Sequence, residues 1–417
     1  MRASDLTWLA LRNLARNRRR TALSLAVVAA GGAALILTAG FVRFSFDGLR
    51  EAMIHGGLGH LEVADAAAGA GRGAALDRPA SAALADWRAL RGRLEGLPRV
   101  EAVGANLHLM GLVQNAEGRS ASFVGVGVEP ERERAMGFET RLRAGEPLPE
   151  PPPAPGEDPV LLARGLAESL GVGPGDLVTL VATTEDGTLN ALDVRVAGIA
   201  TTGVAELDTR FLKLPLASAQ RLAETERVSN LLVVLDDTAA TDAALAAARA
   251  ELADHEPPLA VTPWTERAPF YGQVRDLYLG IFAFLGSIVV VLVVLATSNT
   301  LVMAVLERVR EIGTLRALGT GRGEVAGLLV VEALWLGALG ALVAGAVGLG
   351  AIHLLNAAGL KMPPPPGAVD PIDLRLAIVP EAFWGTALLM LGVLLVAALV
   401  PALRAARMKI VDALGHV

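Results

Sequence analysis

The stretch GTGRGE, Gly319–Glu324, sets glycines at a dinucleotide-like spacing, the kind of loop whose backbone N–H groups could cradle a pyrophosphate. Such a cradle needs a strand before it and a helix after it. Here a charged helical stretch precedes the glycines and the third glycine is misplaced, so the segment reads as a turn. Other chemistry fares no better. There is no G-x-x-x-x-G-K-[ST] phosphate loop and no H-E-x-x-H metal pair. His55 and His60 stand five residues apart, the wrong offset for one helix face, and read as structural. Ser169 lies in ARGLAESLG without the G-x-S-x-G elbow of a nucleophile. The absence of cysteine removes disulfides, thiol catalysis and cysteine zinc sites. No catalytic, cofactor-binding or metal-binding residue is therefore expected.

What remains is ionic and mechanical chemistry. LERVREIGTLRALGTGRGEV, Leu306 to Val325, places Glu307, Arg308, Arg310, Glu311, Arg316 and Arg322 between two long apolar runs. Val309, Ile312, Leu315 and Leu318 fall near one side of a helix, with Arg308, Glu311 and Arg322 elsewhere. Glu307 with Glu311, and Ile312 with Arg316, are one helical turn apart. Gly319 and Gly321 then end the helix and allow a sharp return. The spacing predicts a short amphipathic helix tied directly to two apolar segments.

Those segments belong to a mixed chain. Of 417 residues, 53% are hydrophobic and 19% charged, with a mean hydropathy of +0.48. That fits a few spanning helices plus a sizeable polar domain. The net charge of −6 argues against a nucleic-acid partner. Four runs are long enough to cross a bilayer: 21–45, 277–306, 325–352 and 381–404. The first is too long for a signal-peptide core and lacks a clear cleavage site, so it reads as retained. The second has about 30 uncharged residues, or about 45 Å of helix against ~30 Å of hydrocarbon.

Arginines set the orientation. Arg12, Arg16, Arg18, Arg19 and Arg20 precede the first run, Arg308, Arg310, Arg316 and Arg322 follow the second, and Arg404, Arg407 and Lys409 follow the fourth. The loop at 353–380 carries only Lys361 and Arg375. Both termini should be cytoplasmic and residues 46–275 extracytoplasmic. Phe270, Tyr271, Tyr278, Phe383 and Trp384 suit the outer headgroup level. Residues 1–20 read as an amphipathic helix on the inner surface, 307–323 as the charged helix and turn, and 405–417 as a cytoplasmic tail. Glu332 and Asn299 are polar residues inside the runs. Glu332 is expected to pair structurally, with Thr297, Ser298, Asn299 and Thr300 as its nearest polar patch.

The extracytoplasmic segment reads as α+β. HLEVA, RSASFVGVGVEP and SNLLVVLDD have strand patterns, and ADWRALRGRLEGL and TDAALAAARAEL helical ones. DLVTLVATTEDGTLNALDVRVAGI predicts a hairpin turning at Asp186-Gly187. The proline-rich runs at 146–159 and 363–366 read as stiff connectors.

NTLVMAVLERVREIGTLRALGTGRGEVAGLLVVEALWLGALGALVAGAVGLG resembles the permease core of the FtsX-like, MacB-type ABC transporters. VPALRAARMKIVDAL is similar to that family's ending, although MKIVDAL stands where a proline is common. ALRNLARNRRRTALS is similar to its opening, and GLGHLEV and ARGLAESLGVGPGDLVTLVA to its lipoprotein-releasing members. The resemblance implies an α-helical membrane protein with four spanning helices and a large extracytoplasmic α+β domain of two lobes, the β-rich one inserted at roughly 120–215. It implies that Glu307, Arg308, Arg310, Glu311, Ile312, Gly313, Leu315, Arg316, Leu318 and Gly319 form a coupling helix on a separate cytoplasmic ATPase. Two copies of that ATPase would bind ATP and Mg, leaving this chain without a cofactor. It further implies a second permease, identical or homologous, a bacterial inner-membrane location in contact with lipid, and action by mechanotransmission. Two functions follow. The chain could move a lipoprotein, lipid or other amphipathic cargo, handing it to a periplasmic carrier, or it could activate a periplasmic partner such as a cell-wall hydrolase.

Overall fold

The computed structural model describes residues 3–16, 18–67, 84–138, 140–150, 156, 158–202, 205–362 and 372–408. The centre of the proline-rich loop at 146–159, the proline run at 363–366 and the tail from 409 lie outside them.

The chain opens with α1 (Ala3–Arg16) and α2 (Arg18–Met53), then β1 (Leu61–Asp65), α3 (Trp87–Glu95), β2 (Val100–Asn115) and β3 (Ser120–Val128). There follow α4 (Pro130–Ala135), β4 (Arg141–Gly145), β5 (Pro159–Ala163), α5 (Arg164–Leu170), β6 (Leu177–Thr183) and β7 (Leu189–Thr201). Next come α6 (Ala205–Asp208), β8 (Phe211–Pro215), α7 (Leu216–Ala223), β9 (Asn230–Leu235), α8 (Thr241–Glu251) and β10 (Leu259–Pro263). The last helices are α9 (Trp264–Arg267), α10 (Pro269–Glu307), α11 (Val309–Ala317), α12 (Arg322–Ala357) and α13 (Pro380–Arg407). The chain divides into two compact units, one holding Gly48–Gln273 and the other the residues up to Asp47, Val274–Met362 and those from Asp373 onward.

In the helical unit, four helices are long and apolar enough to cross a membrane: Arg18–Leu58, Pro269–Glu307, Arg322–Ala357 and Pro380–Arg407. Val28, Val293, Leu336, Met390 and Leu394 meet in one buried cluster. Small residues let α2 and α12 approach closely, as hydrocarbon-embedded helices require. A Cβ on Gly340 would stand 2.5 Å from Val28 Cγ1, and one on Gly32 2.7 Å from Ala344 Cβ. Of the most apolar window, 44% is buried in α12 and in α13 but 6% in α10. The flank of α10 is thus the apolar surface that this chain leaves most uncovered.

The α/β unit is built on a ten-stranded sheet of order β10-β1-β9-β2-β3-β8-β5-β7-β4, with β6 pairing β2 and β7. Strand β2 joins its parts. Val100–Asn106 pairs with β9, Leu107–Gln114 with β3, and Gly111–Asn115 with β6, all antiparallel. Helix α3 buries Trp87, Leu90 and Leu94 on one side, the i, i+3, i+7 positions of its period, against a core that includes Val103, Leu107, Leu231 and Val233. The hairpin of β6 and β7 closes where Thr184 N–H donates to the Thr188 carbonyl at 2.8 Å. Gly187 takes the left-handed φ of 83° that the turn demands. Arg267 is fixed to β1 by a buried pair, its Nε 2.9 Å from Glu62 Oε2, while Asn230 donates to the other Glu62 oxygen.

Candidate functional site

The site forms where α10 ends. Arg308, at φ −111° and ψ 13°, breaks the helix, and nine residues of α11 follow at once. Gly319 stops α11 in a Schellman arrangement. The Thr320 N–H donates to the Leu315 carbonyl and the Gly319 N–H to the Arg316 carbonyl, both at 3.1 Å. Gly319 sits at φ 98°, where an L side chain would be strained. Two residues later the Glu324 carboxylate accepts from Gly321 N–H at 2.9 Å, capping α12 as a Glu at N3 does. Short-range contacts alone therefore define a capped helical connector between two apolar helices.

Its faces divide sharply. Val309, Ile312 and Gly313 are buried. Ile312 packs in a cluster with Val305, Val325, Leu329, Ala402 and Ala405 of its own chain. The apolar positions that share a side in the helical projection do not share a fate, because the chain turns away after Ala317. Leu315 is half-exposed and Leu318 is 81% exposed, the highest value among the large apolar side chains described. Arg310 and Thr314, one turn apart, are exposed as well. An outward ridge of Arg310, Thr314 and Leu318 results.

Ion pairs occupy the remaining charges. Glu311 bridges two guanidinium groups, Oε1 lying 3.0 Å from Arg16 Nη2 and Oε2 3.0 Å from Arg308 Nε. The Arg308 hydrogen bond, reinforced by the charge of Arg16 and opposed by partial burial, holds the Glu311 carboxyl below the usual range. Arg308 also reaches Glu332, Nη1 to Oε2 at 3.5 Å. Glu307 pairs with Arg20, 2.8 Å from its Nη1. Arg316 donates to the Met408 carbonyl, which leaves it tied to the end of α13. A polar cavity of about 140 Å³ is lined by Asn13, Arg16, Glu307, Arg308 and Glu311.

Two expectations need correction. Ile312 is not an outward contact, since its own chain covers it. The polar patch on α10 is not the partner of Glu332: Asn299 faces outward, and Thr300 Oγ1 donates to the Ala296 carbonyl of its own helix. Glu332, 3% exposed, meets Arg308 and hydrogen-bonds Asn13 instead. The arginine placed just beyond the end of α10 outreaches the hydroxyls within it. Sequence reasoning also missed Arg16, Arg20 and Asn13. One signal was available: Arg16 and Arg20 are four apart, as are Glu307 and Glu311.

In the α/β unit the histidines hold structure. His60 Nδ1 accepts from the Leu235 N–H at 3.1 Å, so its proton sits on Nε2, 3.0 Å from Thr238 Oγ1. Burial pushes the His60 imidazole down to about 4. His55 Nδ1 stands 3.1 Å from the Met136 carbonyl.

Comparison with known proteins places these elements in a wider set. The family described as MacB-like periplasmic core domain matches residues 21–251, more than half of the chain. The FtsX-like permease C-terminal family matches residues 283–410, all of α11 included. The lipoprotein-releasing system transmembrane protein LolC of Neisseria meningitidis serogroup B is 25% identical over 446 residues, covering 98% of each chain. Among solved structures, the periplasmic region of MacB from Actinobacillus actinomycetemcomitans is 14% identical, with a TM-score of 0.36 over 51% of this chain and 92% of that one. The extracellular domain of the noncanonic ABC-type transporter YknZ from Gram-positive bacteria is 15% identical, with a TM-score of 0.32 over 42% and 87%.

Proposed function

This chain belongs to the family of ABC transporter permeases that join a MacB-like periplasmic core domain to an FtsX-like permease region, and from that premise we propose that it is a non-catalytic subunit that converts ATP turnover by a separate ATPase into movement of an extracytoplasmic domain. Its cargo is an amphipathic molecule, a lipoprotein or lipid, drawn from the outer leaflet of the inner membrane and passed to a periplasmic carrier. The Neisseria relative, a lipoprotein-releasing system transmembrane protein, supports the lipoprotein.

One observation carries the coupling role: a nine-residue helix, joined to two apolar helices, that keeps an exposed ridge of Arg310, Thr314 and Leu318. An exposed leucine two turns from an arginine that has no ion pair among the described residues suits a partner groove with an apolar floor and an acidic rim. In this reading two ATPase copies, holding ATP and Mg, each dock on one such ridge. Of the ten residues expected in the coupling helix, Arg310 and Leu318 lie on this ridge, whereas Ile312 is buried in its own chain. The open flank of α10 suits a second permease, and its 39 residues make about 58 Å of helix against ~30 Å of hydrocarbon. The surplus transmits motion outward, to a domain working as two lobes joined through β2.

Co-purification of the ATPase tests the docking. Leu318→Asp and Arg310→Glu should each abolish or sharply reduce capture while leaving the permease inserted and folded. Wild-type capture and wild-type transport by both variants would mean that α11 is only a connector.

A further inference from the structure

Helix α1 and the start of α2 reach the coupling helix from the opposite end of the sequence. Arg20 and Glu307 are 287 positions apart yet pair at 2.8 Å. Arg16 takes one oxygen of Glu311, and Arg308 takes the other and also faces Glu332. Charges thus alternate from α1 through α11 into α12, as Arg16, Glu311, Arg308 and Glu332. Apolar contact runs beside them, since Leu9 of α1 lines the same cleft as Val305, Ile312 and Leu315. The neighbouring Arg18 and Arg19 are exposed.

Resting on the coupling reading above, we propose that Arg16 and Arg20 are positioning residues: Arg16 ties α1 to α11 and Arg20 ties the start of α2 to the last residue of α10, and together they set the posture in which the ridge meets the ATPase. The two helices that flank α11 fix its ends but leave its rotation about the connectors to side chains. The Arg16 pair restrains α11 directly, and the Arg20 pair restrains the end of α10 from which α11 leaves. Exposed pairs are individually weak and are screened by salt. They therefore define a rest position without locking it, and a docked ATPase can open them during turnover.

Charge exchange at Arg20 and Glu307 tests this, because neither pairs with α11 itself and the docking ridge stays intact. The permease is reconstituted with the ATPase that co-purifies with the wild-type chain, and ATP hydrolysis above that of the isolated ATPase is measured. Arg20→Glu and Glu307→Arg should each retain the ATPase and lower its stimulated rate roughly fivefold. The double exchange Arg20→Glu/Glu307→Arg should recover most of the rate. Arg19→Glu, which removes the same charge from the same segment, should behave as wild type and so separates the pair from any effect on orientation. Wild-type rates in both single variants would overturn the proposal. So would a double variant no better than the worse single, or an equal loss in Arg19→Glu. Failure of any ATPase to co-purify with the wild-type chain would overturn the coupling reading and this inference with it.

Discussion

Arg308 faces Glu332 across 3.5 Å, and the carboxylate is 3% exposed. Removing one partner of such a pair leaves a buried charge uncompensated, which costs about 3–5 kcal/mol, whereas removing both charges is far milder. Arg308→Ala should therefore lower the unfolding midpoint of the detergent-solubilised protein more than Glu332→Gln does. The combination Arg308→Ala/Glu332→Gln should recover part of the loss. If Arg308→Ala left the midpoint unchanged, the pair would not hold these helices. Glu332→Gln should also leave the pH dependence of transport as it was, because the carboxylate serves as a counter-charge.

His60 gives the α/β unit a pH response of definite sign. Its folded value, about 4, lies below the ordinary 6.5 because burial disfavours the charged ring, and the neutral ring accepts from Leu235 N–H. The unfolded chain binds the proton first, so the stability from His60 is complete above about pH 6.5 and is lost as pH falls toward 4, by up to ~1.4 kcal/mol per unit. His255 works in the opposite sense, raised by its hydrogen bond to Asp86, with its contribution present at low pH and lost as pH rises. Hydrogen exchange at the amides of β1 and β9 isolates His60. Protection there should fall between pH 6.5 and 5, and His60→Gln, which can keep both hydrogen bonds, should flatten the change. Identical profiles in the two proteins would exclude the histidine as the cause.

Much of this was legible because some signals are local. The hairpin of β6 and β7 announced itself through alternating apolar residues on either side of Asp186-Gly187, and α3 and α8 through a helical period. Gly319 marked the end of α11 because only a positive φ closes a Schellman turn. Strand β2 left no such trace. Val103, Gly104 and Ala105 are buried in succession while its far end alternates, so neither template fits all 16 residues. The site divides in the same way. Period fixes a helix at 309–317 but not which of Ile312 and Leu318 turns inward, a choice made by Val325, Leu329 and Ala405. Nor could spacing select Arg20 for Glu307 over its neighbours Arg18 and Arg19.

Close approach between α2 and α12 predicts intolerance of side chains at one position. A Cβ on Gly340 would meet Val28 Cγ1 at 2.5 Å, and Val28 is itself fully buried. Gly340→Val should cost about 1–3 kcal/mol through overpacking, read as a lower unfolding midpoint and reduced yield. Gly350→Val, on the same helix with open space around its Cβ position, is the control. Equal behaviour of the two variants would refute the packing argument.

Orientation across the membrane follows from arginine placement and can be read directly, since a chain without cysteine offers no background to thiol labelling. Five arginines between residues 12 and 20 flank the first apolar helix, and Arg308, Arg310, Arg316 and Arg322 lie between the second and third. Lys361 and Arg375 alone carry positive charge in the loop before α13. Positive loops stay on the cytoplasmic side. Asp186, exposed in the β6–β7 turn, and Arg322, exposed at the start of α12, should then lie on opposite faces. In intact spheroplasts an impermeant maleimide should label Asp186→Cys and spare Arg322→Cys, and permeabilised cells should label both. The large separation in sequence, with one spanning helix between the two sites, makes the outcome depend on that helix alone. Labelling of both cysteines from outside would remove α11 from the compartment where ATP is made available, and the coupling role with it.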